Sequence, residues 1–325
     1  MTQASVIIPC FNAAPWLRQT LQSVITQRLD NIEIIVIDDG SADESANIVE
    51  KEFPLVHLIR TNNQGASKAR NLGTEISKGE FIQYLDADDL LAPDKLRIQV
   101  DALKDSGADV AYGNWQEFRG MRRGNFVKAK EFRRKMQIPE IDLFTDFWCP
   151  PAVYLFRRSI VEKVGGWNEG LPIIQDARFA LDCALHAGRF VYCEGLMAYY
   201  RVHYFKDSLS RRDSISFIRD CLQNAVEVEK WWQGREGINE ERKNALLQVY
   251  GYITREAFEK DKPTFEYAST AINRLAPGYI PFRNKFLRLV CRHMGYRTTA
   301  LISFWYRSIK NITSSFINQN CGRYR

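Results

Sequence analysis

Five carboxylates fall in two short runs that end apolar stretches: Asp38 and Asp39 within IIVIDDGSADES, and Asp86, Asp88 and Asp89 within FIQYLDADDLLA. Carboxylates gathered without partners repel one another and resist ionisation, so a shared cation is the economical expectation. Asp86 and Asp88, separated by Ala87, can both face one pocket. Hard oxygen ligands of that kind suit Mg²⁺ or Mn²⁺, and Mg²⁺ usually completes its shell with substrate phosphates. Between the two runs lies NNQGASKARNLG. There Gly65 permits a tight entry into a helix whose first turn presents free N–H groups, while Lys68 and Arg70 add positive charge, a combination suited to a diphosphate. An isolated Asp-x-Asp says little, because Asp favours turns and caps, and Asp43 or Ser41 is expected simply to cap the next helix. The ordered co-occurrence of three such motifs is what carries the chemical expectation.

Ligands of open α/β sheets sit beyond the carboxyl ends of the strands, and the surrounding pattern supplies such a sheet. Short apolar runs predict strands at 5–8, 33–37, 56–59, 81–85 and 110–112. Amphipathic stretches between them predict helices at 16–27, 42–52, 66–77 and 94–104; in the first, Leu17, Leu21, Val24 and Ile25 share a face. The run EIIVI is apolar nearly throughout, as a strand covered on both faces requires. Residues 118–137 carry eight basic side chains without clear periodicity and are expected to form an inserted loop. A strand at 152–156 and a helix at 176–186 follow. From about Asp213 the pattern is helical, with Ile215, Ile218, Leu222, Ala225 and Val228, then Leu246, Val249, Tyr250, Ile253 and Ala257, repeating every three or four residues. A soft boundary is placed near 210, giving segments 1–210 and 211–325.

A chain of 325 residues allows about two folding units, and 45% hydrophobic with 26% charged residues excludes collagen-like, disordered and coiled-coil classes. The formal charge of +6 is uneven. Residues 1–200 hold 23 Lys and Arg against 27 Asp and Glu, whereas 201–325 hold 22 against 12, and no acidic residue follows Glu266. Seven scattered cysteines without a C-x-x-C pair fit a reducing cytoplasm. The start MTQASVIIPC lacks the pattern of a secretory signal, and no run reaches the ~20 apolar residues of a spanning helix, so any membrane contact is expected to be peripheral.

SVIIPCFNAAPWLRQTLQSVITQ, IEIIVIDDGSADES, NNQGASKARNLG and GEFIQYLDADDLLAPDKL, in that order, resemble the catalytic domain of family 2 glycosyltransferases, which have the α/β GT-A nucleotide-sugar-binding fold. The similarity continues through PPAVYLFRRSIVEKVGGWNEGL and ends near YYRVHYFKDSLS, over roughly the first 210 residues; 211–325 resembles no module. The resemblance implies inverting, metal-dependent transfer of a sugar from a nucleoside diphosphate, UDP in particular, to a hydroxyl of a glycan or lipid-linked acceptor, as in polysaccharide biosynthesis. It assigns Pro9, Phe11 and Asn12 to the nucleotide; Phe11 stands where Tyr is usual, which keeps stacking but loses a hydroxyl hydrogen bond. Asp38 and Asp39 would accept from the base or ribose. Gly65, Lys68 and Arg70 would lie at the diphosphate, Asp86 and Ala87 at the ribose or a metal-bound water, and Asp88 at a Mn²⁺ or Mg²⁺ ion with His203 as a further ligand. Asp176 would be the catalytic base. Gln175 replaces the acid usual beside it, and the missing charge is expected to ease ionisation of Asp176. Ser208 and Ser210 belong to a segment that would cover the diphosphate.

The Q-x-x-R-W signature of processive synthases is absent. Two alternatives stay open: a nucleotidyltransferase that makes the sugar nucleotide, although PCFNAAPWL is not the Gly-rich basic loop it would need, and a catalytically silent nucleotide-sugar-binding module. In the tail, Phe286, Leu289, Val290 and His293 share a helical face, with Arg283, Lys285, Arg288 and Arg292 on others; Leu301, Phe304, Trp305, Ile309 and Ile312 continue the apolar content. An interfacial helix on anionic lipid is the favoured expectation, and packing onto the catalytic domain or into a homodimer the other. No nucleic-acid recognition motif accompanies the charge, so no nucleic acid is expected as partner.

Overall fold

The computed structural model describes residues 2–122, 125–203, 213–279, 285–295, 298–299 and 302. These divide into two compact units, the first ending at Ser214 and the second beginning at Ile215.

The first unit opens with strand β1 (Ala4–Cys10), helix α1 (Leu17–Ile25), β2 (Ile32–Asp38), α2 (Ser45–Glu52), β3 (His57–Arg60), α3 (Ala66–Ile76) and β4 (Phe81–Tyr84). Then come β5 (Leu90–Leu91), α4 (Lys95–Ser106), β6 (Val110–Arg122), β7 (Asn125–Phe132) and α5 (Pro139–Thr145). A 3₁₀ turn (Pro151–Val153), β8 (Leu155–Arg157), α6 (Arg158–Val164), α7 (Gln175–Leu185) and β9 (Phe190–Arg201) complete it. The sheet order is β3-β2-β1-β4-β8-β6-β9-β5, with β7 paired on β6. Strands β3, β2, β1 and β4 run parallel, β8 lies antiparallel between β4 and β6, and β6 and β9 are again parallel.

The apolar runs behave as strands covered on both faces: all four residues of β4 are buried, and six of the seven of β1. Helix α1 buries Leu17, Thr20, Leu21 and Val24 at the expected spacing. An aromatic core sits on β4, where Tyr84 packs edge-on against Trp167 and Phe179, which stack on each other at 4.4 Å.

Two expected elements are different. Much of the span read as an inserted basic loop is the hairpin of β6 and β7, anchored where Trp115 stacks on Phe132 at 3.9 Å. Its charges mimic a loop in the sequence, yet charged side chains are what an edge strand such as β7 carries to discourage further pairing. Residues 152–156 do not form one strand. Pro150 and Pro151 cannot donate to a ladder, so the chain makes a 3₁₀ turn first and pairs only over Leu155–Arg157.

The second unit contains α8 (Ser214–Gln233), α9 (Glu240–Ala257) and α10 (Lys262–Leu275). Trp232 and Tyr250 are fully buried, and Glu229, also buried, accepts from Tyr250 Oη at 2.7 Å and pairs with Arg274 at 2.7 Å. Residues 285–295 are helical, with Phe286, Leu289 and Met294 each more than half exposed. Arg283, Leu301, Phe304, Trp305, Ile309 and Ile312 lie outside the described residues. No helix among the described residues is long and apolar enough to cross a membrane.

Candidate active site

The sheet order changes direction between β1 and β4, which makes a crevice at their carboxyl ends, and the motif residues gather there. Pro9 is within β1. Phe11, just beyond it, is 52% exposed, an open aromatic face at the rim. Asn12 adopts a left-handed backbone (φ 51°), its Oδ1 accepting from Ala42 N at 2.8 Å while its own N–H donates to Ser41 Oγ at 2.9 Å. The loops after β1 and β2 are thereby tied together. Asp43 adds to this join, accepting from Ala14 N and from both N and Oγ of Ser45 at the start of α2.

Asp38 and Asp39 are both buried. Asp39 Oδ2 accepts from Gly65 N at 2.8 Å, and Oδ1 from Gln64 N at 2.9 Å and Thr61 Oγ1 at 3.2 Å, so this carboxylate shapes the turn into α3. Gly65 has φ 95°, which L side chains rarely adopt. The Asp38 carboxylate accepts a long contact from Ser41 N, 3.4 Å. Lys68 is half-exposed and lies 3.9 Å from Glu169.

Arg70 is 3% exposed and faces protein on every side. Nη2 pairs with Asp86 at 2.5 Å, Nη1 donates to Gln175 Oε1 at 3.0 Å, and the guanidinium lies over Trp167 at 4.3 Å. Gln175 also accepts from Ser67 Oγ at 2.7 Å and donates from Nε2 to Pro172 O at 3.2 Å. That last bond requires the amide, since a carboxylate cannot donate to a carbonyl.

The turn after β4 is held from β9. Arg201 donates through its backbone N–H to Asp89 Oδ1 (2.8 Å), through Nε to Asp88 O (2.7 Å) and through Nη2 to Gln19 Oε1 (2.9 Å). Asp89 is fully buried, and burial followed by the neighbouring Asp88 and Asp86 pushes its carboxyl well above the usual range. Asp88 Oδ2 lies 2.7 Å from His203 Nε2, and His203 packs edge-on against Trp16. Ser208 and Ser210 lie outside the described residues.

The expectation that the carboxylates lack partners is therefore corrected, and with it the repulsion argument for a shared cation. Arg70, backbone amides and His203 already meet Asp86, Asp39, Asp89 and Asp88, and among the described residues no three His, Cys, Asp or Glu side chains are grouped to hold a metal. The pair Asp88 and His203 still offers one carboxylate and one imidazole on adjacent atoms. Mg²⁺ or Mn²⁺ bound mainly by substrate phosphates and water needs no more from the protein, so the donor set fits.

Asp176 lies in the first turn of α7, where the helix dipole favours a carboxylate. Its Oδ1 accepts from Ala177 N and its Oδ2 from Trp148 Nε1, both at 2.8 Å. Burial raises its carboxyl above the ordinary Asp value; the Trp148 and Ala177 bonds and Arg70 oppose the rise, and Asp86 adds to it. Burial, not the neighbouring Gln175, sets the direction of this shift. Trp148 was not among the expected residues, because nothing in the spacing of FWCPP marks an indole that reaches across 28 positions. It stands edge-on to Trp115 and Tyr200 at 5.5 Å each. Tyr200 sits amid the carboxylates: burial, then Asp89, Asp86, Asp88 and Asp176, all push its hydroxyl upward. A separate cavity of 590 Å³ beside α1, lined by Gln19, Gln22, Phe53, Leu90 and Tyr199 among others, contains none of the expected site residues.

Residues 5–165 match the model of glycosyl transferase family 2. An uncharacterized glycosyltransferase of Haemophilus influenzae is 38% identical over 119 residues, 35% of this chain and 48% of its own length. The chain spans about half or less of the length of the first curated relatives it matches. Among solved structures, S. aureus TarS 1-349 in complex with UDP-GlcNAc superposes with a TM-score of 0.66 at 18% identity, covering 94% of this chain and 92% of that one. The mannosyltransferase PcManGT of Pyrobaculum calidifontis, in complex with GDP-Man and Mn²⁺, gives 0.53 at 18% identity over 94% and 79%.

Proposed function

Since this chain belongs, through residues 5–165, to glycosyl transferase family 2, we propose that it moves a sugar from a nucleoside diphosphate, UDP in particular, to a hydroxyl of a glycan or lipid-linked acceptor with inversion at the anomeric carbon. Its α/β fold is the GT-A fold. The observation that carries the reading is Asp176: a carboxylate at a helix N-terminus, raised by burial, hydrogen-bonded through both oxygens, beside the Arg70–Asp86 pair. A carboxylate raised in this way is a stronger base once ionised.

Phe11 offers the base a stacking face. Asp176 takes the proton of the acceptor hydroxyl as that oxygen attacks the anomeric carbon from the side opposite the diphosphate; a single displacement gives a single inversion. Asp88 and His203 would hold Mn²⁺ or Mg²⁺, which when bound supplies positive charge to the departing diphosphate. PcManGT, with GDP-Man and Mn²⁺, lends this assignment support by fold. Peripheral association with the inner face of a cytoplasmic membrane, through the basic C-terminal region, is part of the same proposal.

The test begins with thermal shifts against UDP-GlcNAc, other UDP-sugars and GDP-mannose with Mn²⁺, followed by hydrolysis assays on the stabilising donor. Asp176→Asn and Asp88→Asn are each expected to lower turnover about 10²–10⁴-fold. Near wild-type turnover in Asp176→Asn would overturn the assignment of the base. Release of pyrophosphate from a nucleoside triphosphate would replace transfer by nucleotidyl chemistry.

A further inference from the structure

Trp148 lies in the loop between α5 and the 3₁₀ turn, outside every motif that marks the site, yet its indole N–H ends on Asp176. It is 39% exposed, so burial alone does not fix its ring. Neighbouring rings do. Trp115 meets it at 5.5 Å and 89°, Tyr200 at 5.5 Å and 83°, and Trp115 is itself stacked on Phe132 of β7 at 3.9 Å and 6°. The β6–β7 hairpin thus braces an indole whose donor points at one carboxylate oxygen, while Ala177 N–H holds the other.

We propose that Trp148 is a positioning residue for Asp176: its N–H fixes the carboxylate rotamer and favours the ionised form, and the aromatic brace from the β6–β7 hairpin sets the indole angle. This rests on the reading of Asp176 as the base, and deepens it by coupling the hairpin to that base. An N–H donor aimed at a carboxylate stabilises the charged state and keeps a defined lone pair free for the incoming hydroxyl. Other charged or titratable groups face Asp176 as well: Arg70 from α3, Asp86 beyond β4, Tyr154 after the 3₁₀ turn and Tyr200 from β9. Removing the indole N–H leaves all of these in place.

The decisive measurement needs no substrate. In ¹⁵N-Trp-labelled full-length protein, the Trp148 indole cross-peak, assigned by its loss in Trp148→Phe, should move with pH and share its midpoint with the Asp176 carboxyl followed by ¹³C. In Asp176→Asn that movement should vanish. In Trp148→Phe, which keeps an aromatic ring, the Asp176 midpoint should rise by about one pH unit. An indole peak that titrates unchanged in Asp176→Asn, or an Asp176 midpoint unmoved in Trp148→Phe, overturns the proposal. Because both readouts are independent of turnover, failure here is distinguishable from failure of the base assignment, which donor hydrolysis by Asp176→Asn decides. On the donor that the screen identifies, Trp148→Phe should lower kcat about tenfold with KM little changed and shift the acid limb of the rate profile upward.

Discussion

A guanidinium buried to 3% exposure is costly to place without partners, and Arg70 spends its two terminal nitrogens on Asp86 and Gln175 while its plane covers Trp167, leaving Nε without an acceptor. Replacing it by Met should therefore cost about 3 kcal/mol, chiefly because Asp86 keeps its charge without its partner. Asp86→Asn should cost at least as much, because it leaves the more deeply buried guanidinium without its counter-charge. In urea denaturation of both single variants and the double variant, a coupling of about 1–3 kcal/mol is expected, and a value near zero would mean that the two side chains act independently. The carboxylates themselves are legible in the sequence, because strand ends followed by Asp runs are local patterns. Their partners are not. Arg70 lies 16 positions from Asp86, Trp148 28 from Asp176, and His203 115 from Asp88, separations that only the sheet topology closes. The expected metal cluster follows the same logic: from spacing alone the carboxylates look unpartnered, since the groups that answer them come from other elements.

Helix α4 is bound to the sheet by a lysine that the apolar pattern does not reveal. Lys95 is fully buried, its Nζ donating to Gln83 Oε1 of β4 and, at 2.9 Å, to Tyr154 O. Burial holds its ammonium well below the usual lysine value. The unfolded chain keeps that proton up to about pH 10.4, whereas the folded chain releases it earlier, so in between the unfolded state binds more protons and stability rises with pH. Lys95→Met removes this slope and leaves Gln83 without a donor. At pH 10 the variant should be less stable by about 1–3 kcal/mol. The gap should narrow as pH falls to 6. A gap in melting temperature that stays constant across this range would show that Lys95 titrates alike folded and unfolded. Elements with strong apolar periodicity, such as β1, β2, α1 and α3, are legible to within a few residues at their ends. The β6–β7 hairpin is not, because Lys and Arg on an edge strand are chosen for solvent and against further pairing, which erases the alternation that identifies a strand.

At the scale of the molecule the charge is distributed so that function can be divided. The carboxylates and the family match lie in the first unit, whose sequence carries a slight acidic excess over residues 1–200, while ten basic residues and no acidic one follow Glu266. Deleting residues 280–325 removes nine of these and takes the formal charge from +6 to −3. Each Lys or Arg near an anionic bilayer contributes about 1 kcal/mol, and Phe286, Leu289 and Met294, each more than half exposed on the 285–295 helix, add apolar area that can enter the interface. The full chain should therefore co-sediment with vesicles containing phosphatidylglycerol and stay in the supernatant with pure phosphatidylcholine, and residues 1–279 should stay in the supernatant with both. Raising the salt from 0.1 to 1 M shortens the screening length from about 10 to 3 Å and should release most of the bound protein, leaving only what apolar insertion retains. Equal sedimentation of the full and shortened chains would remove the lipid surface as a partner, and a concentration-dependent change in mass for the full chain alone would assign the basic region to self-association instead.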